Sequence, residues 1–270
     1  MALDDAAKPS APEDDVQMGF FQHLSELRRR LVRALLGVLV GTAVGWGFKE
    51  EILDFLLAPM ILAWHQLGLG EPKIHFANPI DPFVAYLKIA IVGGILVAAP
   101  WIFWQVWGFI APGLYRRERY LAIPFVFFST VCFVGGAAFG YGVVFPLGFE
   151  TFLGFAGSLP GGEVSLQPTI MIGEYLSFST RLLFAFGIVF EVPVVITFLA
   201  AAGIVNWRQL LSFSRWWILV AAVLAAMLTP PDVASQMMML VPLVVLYFLS
   251  VGIAFLIGEK RAARRKSEEQ

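Results

Sequence analysis

Charge is what this 270-residue chain has least of: 14% of it is Asp, Glu, Lys or Arg, against about 25% in an ordinary soluble domain. A chain so poor in ionised groups does not keep the outside of a soluble globule wet, which excludes a soluble enzyme, a nucleic-acid binder and a disordered protein. It has one cysteine, Cys132, so it forms no intramolecular disulfide and no cysteine-based metal site. Of its three histidines, His65 and His75 have no carboxylate or thiol at ligand spacing, and neither GxSxG nor HExxH occurs, so metal and nucleophile chemistry are not indicated. The chain also shows no internal repeat. What it has instead is apolar: 59% hydrophobic residues and a mean hydropathy of +0.77.

Crossing roughly 30 Å of hydrocarbon takes about 20 apolar residues in a helix. Six stretches meet or approach this, near 31–48, 84–108, 121–145, 173–202, 214–229 and 236–257. The fold expected is therefore an all-α integral membrane protein with six transmembrane helices. The fifth is the weak one, because its apolar run from Trp216 to Leu228 covers only about 20 Å at the helical rise. It thins the bilayer, snorkels Arg215 or leans on neighbours. Residues 1–19 are polar and acidic, with Pro9 and Pro12, and read as a flexible tail. Residues 20–258 form the membrane domain, and 259–270 a second tail. Arg28, Arg29 and Arg30 precede the first span, but no small-x-small site follows it, so it reads as an uncleaved helix.

Lysine and arginine are placed asymmetrically. Lys8, Arg28, Arg29, Arg30 and Arg33 precede or open span one; Arg116, Arg117 and Arg119 follow span two; Arg208 and Arg215 follow span four; Lys260, Arg261, Arg264, Arg265 and Lys266 end the chain. The opposite loops hold Lys49 and Lys73 alone, while Lys88 and Arg181 lie near or within spans. The positive-inside rule predicts a cytoplasmic-membrane protein with both termini in the cytoplasm. On the outer side, Ile52 to Leu67 is too short to span and is expected as a helix lying at the surface. The loop near 146–172 is rich in Gly and Pro, and Thr229-Pro230-Pro231-Asp232 makes a tight turn.

Four segments carry more than hydropathy. They are His23-Leu24-Ser25-Glu26-Leu27-Arg28-Arg29-Arg30-Leu31 before span one, and Gln105 through Phe109-Ile110-Ala111-Pro112-Gly113-Leu114-Tyr115-Arg116-Arg117-Glu118-Arg119 after span two. The others are Phe190-Glu191-Val192-Pro193 within span four and Leu228 through Gln236 between spans five and six. In this order on a six-span chain, from about Phe20 to Gly258, they resemble the TatC family, the multispanning core and signal receptor of the twin-arginine protein translocase. The resemblance implies a concave, glove-like bundle with no catalytic chemistry and no cofactor. Its expected partners are twin-arginine signal peptides of folded cargo, TatA-type and TatB-type single-span proteins, membrane lipids and further copies of itself as a homo-oligomer, with transport driven by the proton-motive force. It implies signal binding by Glu26 and Glu118, with Arg28, Phe109 and Leu114 beside them. It also implies an intramembrane and partner-contact set of Glu191, Pro230, Asp232 and Gln236. Arg181 departs from the pattern, which has an uncharged residue there.

The residues support part of this unaided. A guanidinium pairs bidentately with a carboxylate, and Glu26 and Glu118 each sit as one negative charge in a belt of arginines. The plainer reading is that each acid balances its own helix, as Glu26–Arg29 and Glu26–Arg30 pairs would. Glu191 stands among Phe184 to Phe198, where an ionised group costs at least about 2.5–3.5 kcal/mol at mid-bilayer, so it is expected to face a cavity or a partner. The plainer reading makes it a protonated or internally bonded packing residue. Pro193 kinks the helix beside it, and Arg181, about 15 Å away along the helix, snorkels outward. Gly37, Gly41 and Gly45, and likewise Gly136 and Gly140, mark close helix packing. Met237-Met238-Met239 is filler or lipid-facing, and Trp101, Trp104, Trp107, Trp216 and Trp217 read as interfacial belts. A secondary transporter with a proton site at Glu191, an intramembrane enzyme and a plain scaffold are the competing classes.

Overall fold

The structure, a computed structural model, describes residues 20–110, 122–158, 165–229 and 233–268. Six helical stretches among them are long and apolar enough to cross a membrane. α1 (Phe20–Gly47) is the first span; α2 (Lys49–Gln66) follows it directly, and α3 (Asp81–Ile110) is the second span. The third runs through α4 (Ala122–Phe139), a π-turn at Gly140–Val144 and α5 (Phe145–Leu153). α6 (Ile172–Phe190) and α7 (Val192–Ala201) make the fourth, α8 (Trp207–Leu228) the fifth and α9 (Val233–Glu268) the sixth. The α9 helix thus continues through most of the segment read as a C-terminal tail.

Short strands tie the loops at one end. β1 (Ile74–His75) pairs in parallel with β4 (Ile170–Met171), and β2 (Gly157–Ser158) pairs antiparallel with β3 (Ser165–Leu166). The loop after α2 is thereby joined to the entry of α6.

α2 forms a helix where one is expected, with Leu56, Leu57, Met60, Ala63 and Trp64 of one face buried in the largest apolar cluster and Phe55 and Leu62 of the other exposed. Its internal Pro59 has no N–H and leaves the Phe55 carbonyl without its helical donor. The Tyr141 hydroxyl supplies one at 2.7 Å, its ring stacked on Phe55 at 4.0 Å, and the Tyr175 hydroxyl donates to the Leu56 carbonyl at 2.6 Å. Two tyrosines from neighbouring spans therefore fix a helix whose apolar run is too short to span.

The fifth span differs from expectation. Asn206 and Gln209 form a reciprocal capping box, which starts α8 well before its apolar run and gives a helix of 22 residues, about 33 Å long. The short apolar run is therefore housed in a helix of full spanning length.

α1 packs antiparallel on α3, and glycines set the distance. A Cβ at Gly41 would strike the Gly94 backbone, one at Gly45 the Ala90 backbone, and one at Gly37 the Trp101 ring. The small-residue face in span one is thus a backbone-to-backbone seam, as its spacing implies. Gly136 and Gly140 press in the same way on Phe186 and Phe190 of α6. Away from the seam α1 is largely exposed, with Leu31, Leu35, Leu36, Leu39 and Val40 turned outward, which suits a helix whose surroundings are lipid.

Not all the tryptophans form belts. Trp107 is 6% exposed and packs among Phe125 and Phe198. Trp217 stacks on Tyr247 and donates to the Leu243 carbonyl. Trp101 and Trp104 stay half-exposed. Met239 is fully buried while Met237 is exposed.

Candidate functional site

The antiparallel seam brings the start of α1 to the end of α3. Glu26 Oε1 accepts from Arg30 Nη2 at 3.1 Å and from Nε at 3.4 Å. Both side chains are about three-quarters covered. The spacing of four residues places them one above the other on the helix, and the cover comes from α3. Gly108 has no side chain, and the Arg30 guanidinium occupies the space a Cβ would take, with Cζ 2.7 Å from that position. One turn earlier on α1, His23 stacks on Phe109 with ring centroids 4.4 Å apart. A carboxylate already holding a guanidinium therefore lies beside an aromatic stack at one end of the bundle.

Of the residues expected here, the structure brings Glu26 and Phe109 together. Arg28 is exposed, and two residues along a helix places it about 200° round from Glu26, so it does not share that face. Leu114 and Glu118 lie outside the described residues. The Glu26–Arg30 pair is the intrahelical pairing that the spacing allowed. Arg30, His23 and Gly108 were not singled out as binding residues. Their signal was the i,i+4 spacing for Arg30, while for the other two only the α1–α3 register shows the contact.

The second polar site is a break in the fourth span. α6 ends at Phe190 and α7 begins at Val192, with Glu191 joining them. Pro193 lacks an N–H and crowds the preceding turn. The Glu191 N–H reaches Ile188 O at 3.1 Å instead of closing a full α turn, and the helix resumes with Val195 N–H on Glu191 O at 2.9 Å. Glu191 Oε1 is buried and has no hydrogen-bond partner among the described residues. Nearby in the bundle, Ser129 Oγ of α4 accepts from Trp107 Nε1 of α3 at 3.2 Å. Spans two and three are thus joined by a buried polar pair, Trp107 and Ser129. Gln105 of α3, 3% exposed, has another buried oxygen without a partner among the described residues. An unsatisfied carboxylate oxygen in an apolar interior is unfavourable unless a donor arrives. Ser129 and Gln105 were legible as polar residues inside apolar runs, whereas the pairing of Ser129 with Trp107 was not.

At the remaining site, Gln236 Nε2 donates to the Ala222 carbonyl at 3.4 Å, tying α9 to α8. Pro230 and Asp232 lie outside the described residues. Among the described residues no group of His, Cys, Asp and Glu has the arrangement of a metal site.

Six apolar spans, with polar groups gathered at a helix end and at a helix break, define a polytopic membrane protein. A family model described as Sec-independent protein translocase protein (TatC) matches residues 22–242, and the chain belongs to that family of non-enzymatic transport components. It is 38% identical over 258 residues to the Sec-independent protein translocase protein TatC of Koribacter versatilis, covering 94% of this chain and 91% of that one. It is 41% identical over 242 residues to the TatC of Desulforapulum autotrophicum, covering 90% and 86%. A crystal structure of a twin-arginine translocase receptor TatC superposes with a TM-score of 0.74 at 33% identity, covering 87% of this chain and 99% of that one.

Proposed function

We propose that this chain is the signal receptor and core subunit of a twin-arginine translocase. It binds the paired arginines of signal peptides on folded cargo and, with TatA-type and TatB-type single-span partners, moves that cargo across the membrane on the proton-motive force. The observation that carries the reading is the Glu26 carboxylate, partly covered, holding a guanidinium against Gly108 and beside the His23–Phe109 stack, in a chain of this family. Arg30 is a stand-in for a cargo arginine: the same oxygen geometry accepts either. Glu118 is the second acceptor, with Leu114 and Phe109 as apolar surface for the hydrophobic part of the signal. The surrounding arginines repel cationic peptides that lack a well-placed pair.

The Lys and Arg asymmetry supports placing this end, and both termini, in the cytoplasm of a cell with the chain in its inner membrane. Glu191, whose Oε1 has no partner among the described residues, together with Pro230, Asp232 and Gln236, is the partner-contact set. A single-span helix bearing a hydrogen-bond donor satisfies Glu191 on docking. The receptor works as a homo-oligomer in complex with these partners.

The test is binding of a signal peptide carrying Arg-Arg, and of its Lys-Lys variant, to the full chain and to Glu26→Gln and Glu118→Gln. A partly buried charge-assisted contact contributes about 1.5–3 kcal/mol, so each substitution should weaken Arg-Arg binding about 10–100-fold and erase the preference over Lys-Lys. Wild-type affinity in both variants would refute the assignment.

A further inference from the structure

A groove of about 410 Å³ opens between α3 and α6 on the side of the bundle, lined by Lys88, Ile91, Val92, Thr180, Arg181 and Phe184. Its two cations converge on one residue: Lys88 Nζ donates to Ser177 Oγ at 2.8 Å and Arg181 Nε to the Ser177 carbonyl at 3.0 Å. Ser177 Oγ in turn donates to Gly173 O. The remaining guanidinium and ammonium donors have no carboxylate partner, since neither cation enters an ion pair among the described residues. Glu174 is exposed, two turns of helix from Arg181. Asp81 is engaged by the Ala77 and Asn78 N–H groups.

Depth identifies what neutralises the pair. Counting from the helix starts at Asp81 and Ile172, Lys88 lies about 10 Å and Arg181 about 14 Å along the axis. Both spans have 30 residues, about 45 Å, so each overhangs a 30 Å hydrocarbon layer by roughly 7 Å per end. The two Cα atoms therefore sit only about 3–7 Å below the hydrocarbon boundary, within the reach of snorkelling side chains. Towards mid-membrane the groove turns apolar, through Ile91, Val92 and Phe184. Cations at the boundary above an apolar trough match an amphiphile with an anionic head and an acyl tail. A partner helix with a carboxylate matches the charge but has no need of a trough that changes character along its length.

We propose that this groove is a binding site for an anionic phospholipid, with the phosphate between Lys88 and Arg181 and an acyl chain along Ile91, Val92 and Phe184. The site stands independently of signal recognition, and only its assignment to the outer leaflet rests on the topology proposed above.

The experiment titrates the purified full chain in detergent with short-chain phosphatidylglycerol, phosphatidylcholine or inorganic phosphate, and reads bound lipid by native mass spectrometry. Phosphatidylglycerol should bind more tightly than phosphatidylcholine, and Lys88→Gln/Arg181→Gln should weaken it about tenfold to thirtyfold. Arg208→Gln/Arg215→Gln, which removes two arginines elsewhere, should leave it unchanged. Should the double variant not fold, Arg181→Gln alone must weaken binding while Arg181→Lys and Lys88→Arg retain it. Equal phosphatidylglycerol binding by wild type and Arg181→Gln overturns the site. So does displacement of the lipid by equimolar inorganic phosphate, or by a single-span peptide bearing a carboxylate. Signal-peptide affinity measured on the same variants should stay at the wild-type value, which separates this test from that of the receptor reading.

Discussion

Gly94→Ala tests how the α1–α3 seam positions the binding end. A Cβ at Gly94 falls on the Thr42 nitrogen, 2.6 Å from the Gly41 carbonyl carbon and 2.7 Å from Thr42 Cα. Ordinary carbon contacts lie near 3.5–4.0 Å, so α1 must back away by about 1 Å. Every atom struck is backbone, and no rotamer change relieves it. Overpacking of this kind costs about 1–3 kcal/mol, and van der Waals contact at such seams is what holds helices together in lipid. Because α1 buries little elsewhere, it yields by tilting. Glu26 lies 15 residues from Gly41 along α1, about 22 Å from the contact, so the tilt is felt where His23 meets Phe109. Thermal unfolding in detergent should show Gly94→Ala destabilised by that amount. A cysteine pair at positions 23 and 109 should crosslink less readily in the same background. The control is Gly135→Ala in α4, whose added Cβ meets nothing within 4 Å; it should be neutral or stabilising by up to about 1 kcal/mol through helix propensity. If both variants melt alike and the crosslink is unaffected, the seam does not set the position of Glu26.

Two further outcomes follow from other parts of the chain. Glu191→Ala removes the buried oxygen that has no partner among the described residues; it should insert and bind signal peptide as wild type does, yet lose transport or recruitment of single-span partners, and unchanged transport in a membrane-vesicle assay would leave the residue a packing role. Reporter fusions after Gly70 and Gly162 should report the outer compartment, and fusions after Arg119 and Gln270 the cytoplasm; a cytoplasmic signal at Gly162 refutes the orientation.

Much of this protein is decided by local composition. Runs such as Ile89 to Ile110 leave a helix in lipid as the only arrangement that satisfies their backbone groups, and the Gly37, Gly41, Gly45 spacing marks a face for close approach before any partner is known. Pro193 breaks the fourth span at Glu191 because a missing N–H acts within one turn. These are short-range effects, and short-range effects can be read along the chain.

Other features depend on groups far apart in sequence. Ile52 to Leu67 reads as a helix too short to span, and only the structure shows Tyr141 and Tyr175 donating to its carbonyls and holding it to the bundle. Trp107 has the composition of a belt residue but is buried beside Ser129. Lys88 and Arg181 look like separate snorkelling cations until Ser177 is found between them. The pairing of Glu26 with Arg30 was legible from four-residue spacing. Its placement over Gly108 and beside Phe109 was not, because that register is set by where two glycine faces let the α1 and α3 backbones touch. Sequence spacing fixes which side chains share a helix face. Only the packing of one helix on another decides which faces meet, and the site lies where they do.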